Sequence, residues 1–168
     1  MQIARILAIL SSLFVLPLLL NFDVIGQDTK KKVKNDVCSA SNPASICSAE
    51  NTCGSAASPC SIDIRRSGGS SATATPNMPG AKSDKAFCIK TGTTVTFTSS
   101  SKDTGFVLDF GNSNPFDRAG AIMGGADRPI TVTARHAGCY TYSVGACTAG
   151  TVYGMCGDDM AQFVISDK

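Results

Sequence analysis

The sequence predicts an all-β protein, a Greek-key β-sandwich preceded by a disulfide-rich N-terminal extension. Three observations carry that reading. Apolar residues alternate with hydroxyl residues over several short stretches, the period of a strand with one buried face. Gly, Pro, Asn and Asp separate these stretches, and no segment keeps a helical period over three turns. Eight Cys, an even number, accompany only 7% aromatic and 17% charged residues in a chain of 168, as expected of a chain crosslinked in an oxidising compartment.

In chain order, residues 1–26 read as a secretory signal. Arg5 supplies a positive charge and an apolar run extends from Ile6 to Leu20, shorter than the roughly 20 residues a bilayer span needs. Cleavage is expected between Gly26 and Gln27, with an uncleaved N-terminal anchor as the alternative. The mature protein is then secreted or periplasmic and has no membrane span. Lys30, Lys31, Lys32 and Lys34 follow as a solvated arm.

Residues 27–60 form a Cys-rich extension with Cys38, Cys47, Cys53 and Cys60 and few large apolar residues. Too little apolar surface is available there to offset the entropy of ordering, so local crosslinks are the expected substitute. The spacings match no zinc signature and no His is near. Residues 61–168 form the sandwich. Ser61–Arg65 alternates and opens the sheet, whereas residues 67–85, rich in Ser, Gly, Ala, Thr and Pro, read as a loop. Thr93–Thr98 puts Val95 and Phe97 on one face and hydroxyls on the other. Phe106, Leu108 and Phe110 alternate with Val107 and Asp109. Ile130–Thr133 follows Pro129, placed where a lost N–H matters least. Tyr140–Val144 and Gln162–Ser166 complete the set. Short strands separated by turn signals are the pattern of a Greek-key sandwich.

The net charge of +2 is too small for a nucleic-acid footprint. A single His, His136, rules out any metal site or catalytic machine that needs two imidazoles. Trp is absent and Tyr occurs three times, so the Ser-, Thr- and Asn-rich surface lacks an aromatic platform for saccharides.

Gly92-Thr93-Thr94-Val95-Thr96-Phe97, followed by Phe106-x-Leu108-x-Phe110, resembles the paired strands of the cupredoxins, the small blue-copper sandwiches. Gly138-Cys139-Tyr140-Thr141-Tyr142 and Gly154-Met155 before the final strand are similar to that family as well. The resemblance covers roughly residues 85–166 and implies a cupredoxin-like frame. It also implies where copper ligands would stand. Phe106 occupies the place of the first His, Val144 that of the thiolate and Cys147 that of the second His; Met155 alone keeps the type of the axial ligand. A blue-copper centre needs two imidazoles and a thiolate, so the resemblance implies the frame without type 1 copper.

The remaining candidates have ordinary structural readings. Cys147 and Cys156 bracket the loop that would hold copper, and their favoured reading is a disulfide bracing it. The alternative is a Cu(I) cluster of Met155, Cys147, Cys156 and His136. Cys88 and Cys139 lie in different strands and are candidates to bridge them, although eight Cys allow many pairings. His136 reads as an exposed turn residue. Asp158-Asp159 reads as a solvated turn rather than a calcium site. Gly124-Gly125 lacks the following helix of a phosphate loop. The expected function is therefore that of a non-enzymatic binding or structural module facing an envelope or extracellular partner, with contacts near residues 111–128 and 145–160. The alternative is an atypical copper-binding or electron-transfer protein using Met155 and Cys ligands.

Overall fold

Alternation is the local rule that builds the sheets. In the computed structural model, which describes residues 35–55, 57–83, 85–149 and 155–167 with the backbone alone over 155–158, ten strands are described and no α-helix. The expected signal and the lysine arm lie outside the described residues. The strands are β1 (Thr52–Cys53), β2 (Cys60–Ser67), β3 (Ser71–Pro76), β4 (Phe87–Lys90), β5 (Thr94–Thr98), β6 (Thr104–Asp109), β7 (Ile122–Gly125), β8 (Ile130–Thr133), β9 (Gly138–Thr148) and β10 (Met155–Ser166). Two single-turn 3-10 helices, Pro43–Ile46 and Ala49–Asn51, precede them. No helix among the described residues is long and apolar enough to cross a membrane.

The strands form a six-stranded sheet, ordered β1-β4-β10-β9-β6-β7, and a four-stranded sheet, ordered β3-β2-β5-β8. Most neighbours are antiparallel, but β1–β4, β4–β10 and β2–β5 run parallel. The inward faces share one core: Ile62, Ile64, Val95, Phe97 and Val132 from the smaller sheet meet Leu108, Ile122, Tyr142, Val144, Phe163 and Ile165 from the larger. Val95 and Phe97 are fully buried while Thr94, Thr96 and Thr98 face outward, as their alternation predicts. On the smaller sheet's outer face, Ser61, Thr96 and Thr131 form a lateral row, and the last two share a hydroxyl hydrogen bond. Free edges are short, and Pro76 at the end of β3 and Pro129 before β8 limit strand addition there.

Four strands, β1, β3, β4 and β7, have no counterpart in the sequence expectation. The stretch read as a loop over 67–85 contains β3, where Ala72, Ala74 and Pro76 point inward between Ser and Thr. Its period is that of a strand, but alanine is too small to announce a core. The β4 strand buries Phe87, Cys88 and Ile89 consecutively, because its outer face is covered as well as its inner one. In β7, Gly124 is required by packing. A Cβ there would lie 2.6 Å from the Phe106 ring, 2.7 Å from the Arg128 carbonyl oxygen and 2.9 Å from Ile130.

The described part of the Cys-rich segment belongs to the same unit as the strands that follow. Its bonds are Cys38–Cys139, Cys47–Cys88 and Cys53–Cys60, so only the last is a local crosslink. The candidate Cys88–Cys139 bridge does not form, for a geometric reason. Both residues pair with Val164 from opposite sides, so two strand spacings, about 9.5 Å, separate Cα atoms that a disulfide needs within about 7 Å. Each takes a cysteine of the N-terminal segment instead. These three bonds place the protein in an oxidising environment.

Tyr142 is fully buried and stacks on Phe110 at 4.9 Å. Its hydroxyl has no hydrogen-bond partner among the described residues, and burial pushes its ionisation above the ordinary tyrosine value. An unpaired buried hydroxyl is a cost. Tyr142→Phe is therefore expected to raise unfolding stability by about 1–3 kcal/mol in urea titrations; a loss of stability would reveal a partner for that oxygen.

Candidate functional site

The long β9–β10 ribbon fixes the positions that the cupredoxin resemblance assigns to copper. Phe106 in β6 lies opposite Ala146 in β9, Leu108 lies opposite Val144, and Gly105 lies opposite Cys147. Phe106 and Val144 are both buried in the core and offer carbon, not donor atoms. Cys147 points outward and is disulfide-bonded, so it supplies no thiolate. The register sets Cys156 directly across from Cys147, and Met155 across from Thr148.

His136 is exposed and lies two residues before β9. Cys147 lies near the far end of the same strand, about 30 Å away at a strand's rise per residue. The Met155, Cys147, Cys156 and His136 cluster is thus corrected: its only imidazole belongs to the opposite end of the sandwich. The His136 carbonyl instead accepts the Tyr140 hydroxyl at 2.9 Å. Among the described residues no group of three or more His, Cys, Asp or Glu could hold a metal. The donor set does not fit type 1 copper.

Two other expectations change position. Residues 145–148 and 155–160 are paired strand rather than loop. Asp158 and Asp159 lie within β10, opposite Gly145 and Val144, and Asp159 accepts the next backbone N–H, that of Met160, at 2.9 Å. Residues 111–121 remain a loop, pinned to β8 through Asp117. That carboxylate accepts the Thr133 N–H at 3.0 Å and is held below its ordinary pKa chiefly by this bond.

The open part of the larger sheet's outer face offers a different feature. Val107 and Met123 are cross-strand neighbours and the exposed large hydrophobics among the described residues, at 39% and 63%. Gly145 flanks Val107 on its other side, and the next row holds Gly125, Gly105 and Cys147. The result is a low, glycine-floored shelf with two apolar side chains standing on it. Beside it a cleft of about 320 Å³ is lined by Asp103, Met123, Asp127 and Arg128. Sequence reasoning missed this shelf because Val107 sits in a strand whose alternation is normal, and only the register brings Met123 beside it.

The other half of that face is covered by residues 35–51. Gln162, 5% exposed, accepts the Val37 N–H at 2.9 Å and donates to Thr141 and the Asp36 carboxylate. Hydrogen bonds from the Ser39 hydroxyl, then from Gln162, hold Asp36 below the ordinary carboxylate range. A depressed value means that the anchoring is present above the ordinary value and is lost as pH falls through the lowered one. Amide exchange at residues 37–39 is expected to accelerate in that acid window while β10 amides stay protected; equal protection on both sides would contradict the anchor.

Comparisons of the chain with protein-family models, curated proteins and solved structures found no match.

Proposed function

We propose that this is an exported, non-catalytic binding or structural module on a cupredoxin-like Greek-key frame that lacks type 1 copper. One observation carries the reading: the places that the resemblance assigns to the strong copper donors hold buried Phe106, buried Val144 and oxidised Cys147. Two facing sheets of mixed pairing support the frame. Asp36 and Asp117 anchor backbone segments, Tyr140 braces a turn and Tyr142 lies in the core.

The Val107–Met123 shelf and its cleft form the contact surface in this reading. Contiguous exposed apolar residues rimmed by polar groups mark interaction sites, and a rigid sheet presents them with little backbone ordering cost. The test is metal analysis of protein purified from an oxidising compartment, paired with a mass count of alkylated thiols. The proposal expects no stoichiometric copper and no reactive thiol. Stoichiometric copper together with a reduced Cys147 would replace it with the copper-binding alternative.

A further inference from the structure

Residues 35–51 cross the outer face of β4, β10 and β9, yet none of them is buried. Their hold on the sheet is the pair of disulfides to Cys88 and Cys139, the Gln162 hydrogen bonds described above, and the Asn51 side chain donating to the Ala86 carbonyl at 3.4 Å. A cleft of about 360 Å³ opens between Val37, Ile46, Asn51 and Lys85, and another of about 410 Å³ between Cys47, Thr52, Lys90 and Ser166. What the segment covers is well buried: Cys88 at 0%, Val164 at 2% and Gln162 at 5%.

The three described bonds also differ in access. Cys38, Cys139 and Cys47 are each partly exposed. Cys53 and Cys60, which close the root of the segment, are 1% and 0% exposed. Disulfide exchange needs a thiolate to reach a sulfur in line, so access orders the reactions.

We propose that residues 35–51 form a redox-released strap: exchange at Cys38–Cys139 and Cys47–Cys88 frees it while Cys53–Cys60 and the sandwich stay intact, uncovering Val164, Gln162 and the Cys88 and Cys139 thiols. The reductant is a dithiol. Its thiolate attacks one sulfur to form a mixed disulfide, its second thiol resolves that bond, and it leaves as a cyclic disulfide. Each protein bridge gains two electrons and two protons. No residue of the strap belongs to the core shared by the two sheets, so its release leaves that core in place.

The test treats the folded, oxidised protein with graded dithiothreitol at neutral pH, alkylates the thiols formed, and maps them by peptide mass alongside hydrogen exchange. Cys38, Cys139, Cys47 and Cys88 are expected to alkylate before Cys53 and Cys60. Amides over 37–51 should then lose protection while those of β2, β5 and Phe163–Ile165 in β10 keep theirs. Peptide mapping separates these bridges from the exposed bond at Cys147. Simultaneous opening of all bridges with loss of core protection would overturn the proposal, as would persistent strap protection after reduction or resistance of the two strap bridges. A Cys38→Ser, Cys47→Ser variant gives a second reading: wild-type core protection with an unprotected strap supports it, and a protected strap contradicts it. The outcome is independent of copper, so it stands or falls apart from the proposed function.

Discussion

Phe163→Ala is expected to destabilise the protein by about 3–5 kcal/mol, the range for removing a buried aromatic ring. Phe163 is fully buried near the end of β10 and its ring lies 5.2–5.9 Å from those of Phe87, Phe110, Phe116, Tyr140 and Tyr142. These rings come from β4, from β9, and from the segment after β6, so the cavity would open where several elements converge. Tilted ring pairs add a further increment beyond area burial. Urea unfolding followed by circular dichroism measures the loss, with an unchanged m-value confirming that stability alone moved. A loss within about 0.5 kcal/mol, typical of surface substitutions, would contradict this account of the core.

Gly54→Ala ranks second, at about 2–5 kcal/mol from left-handed backbone strain plus overpacking. Gly54 has φ of +74°, and a Cβ there would meet the Cys60 nitrogen at 2.7 Å, the Ser58 oxygen at 2.9 Å and Thr93 Cγ2 at 2.9 Å. Two of those atoms are backbone, held by the Cys53–Cys60 bond and by the mutual hydrogen bonds of Ser55 and Ser58. They have no rotamer with which to yield. The same titration reads the effect, and an alanine variant as stable as the parent would show that this corner relaxes. Gly68, also at positive φ but with nothing near it, is the control: Gly68→Ala keeps the backbone strain and lacks the clash, so it should cost less.

How much of this was legible in the sequence depends on what each residue reports. Val95 and Phe97 between threonines announced β5, and Ile130–Thr133 announced β8 with its observed bounds. In β9 and β10 the alternation marks only the stretches Tyr140–Val144 and Gln162–Ser166. Beyond Val144, Gly145, Ala146 and Cys147 carry little apolar weight, so the pairing that extends them is visible only in the register. The β3 strand hid for the same reason, since Ala72 and Ala74 fill inward positions without looking like a core. Cysteine connectivity was the least legible feature. Cys88 and Cys139 do lie on neighbouring parts of one face, but Val164 stands between them, a fact of strand order rather than of spacing along the chain. For the site, the sequence identifies the residues at the positions that the resemblance would assign to copper and their lack of donors. It could not show that His136 precedes the start of β9 while Cys147 lies near its far end, nor that Met123 stands beside Val107.

In the proposed reading, a copper-type frame lacks the donors that make a copper protein. Adding Cu(II) to the folded, oxidised protein and recording its visible absorption spectrum tests that most directly. The account predicts only the weak bands of loosely held copper, unchanged by His136→Ala. An intense thiolate-to-copper charge-transfer band, saturating at one equivalent, would contradict it.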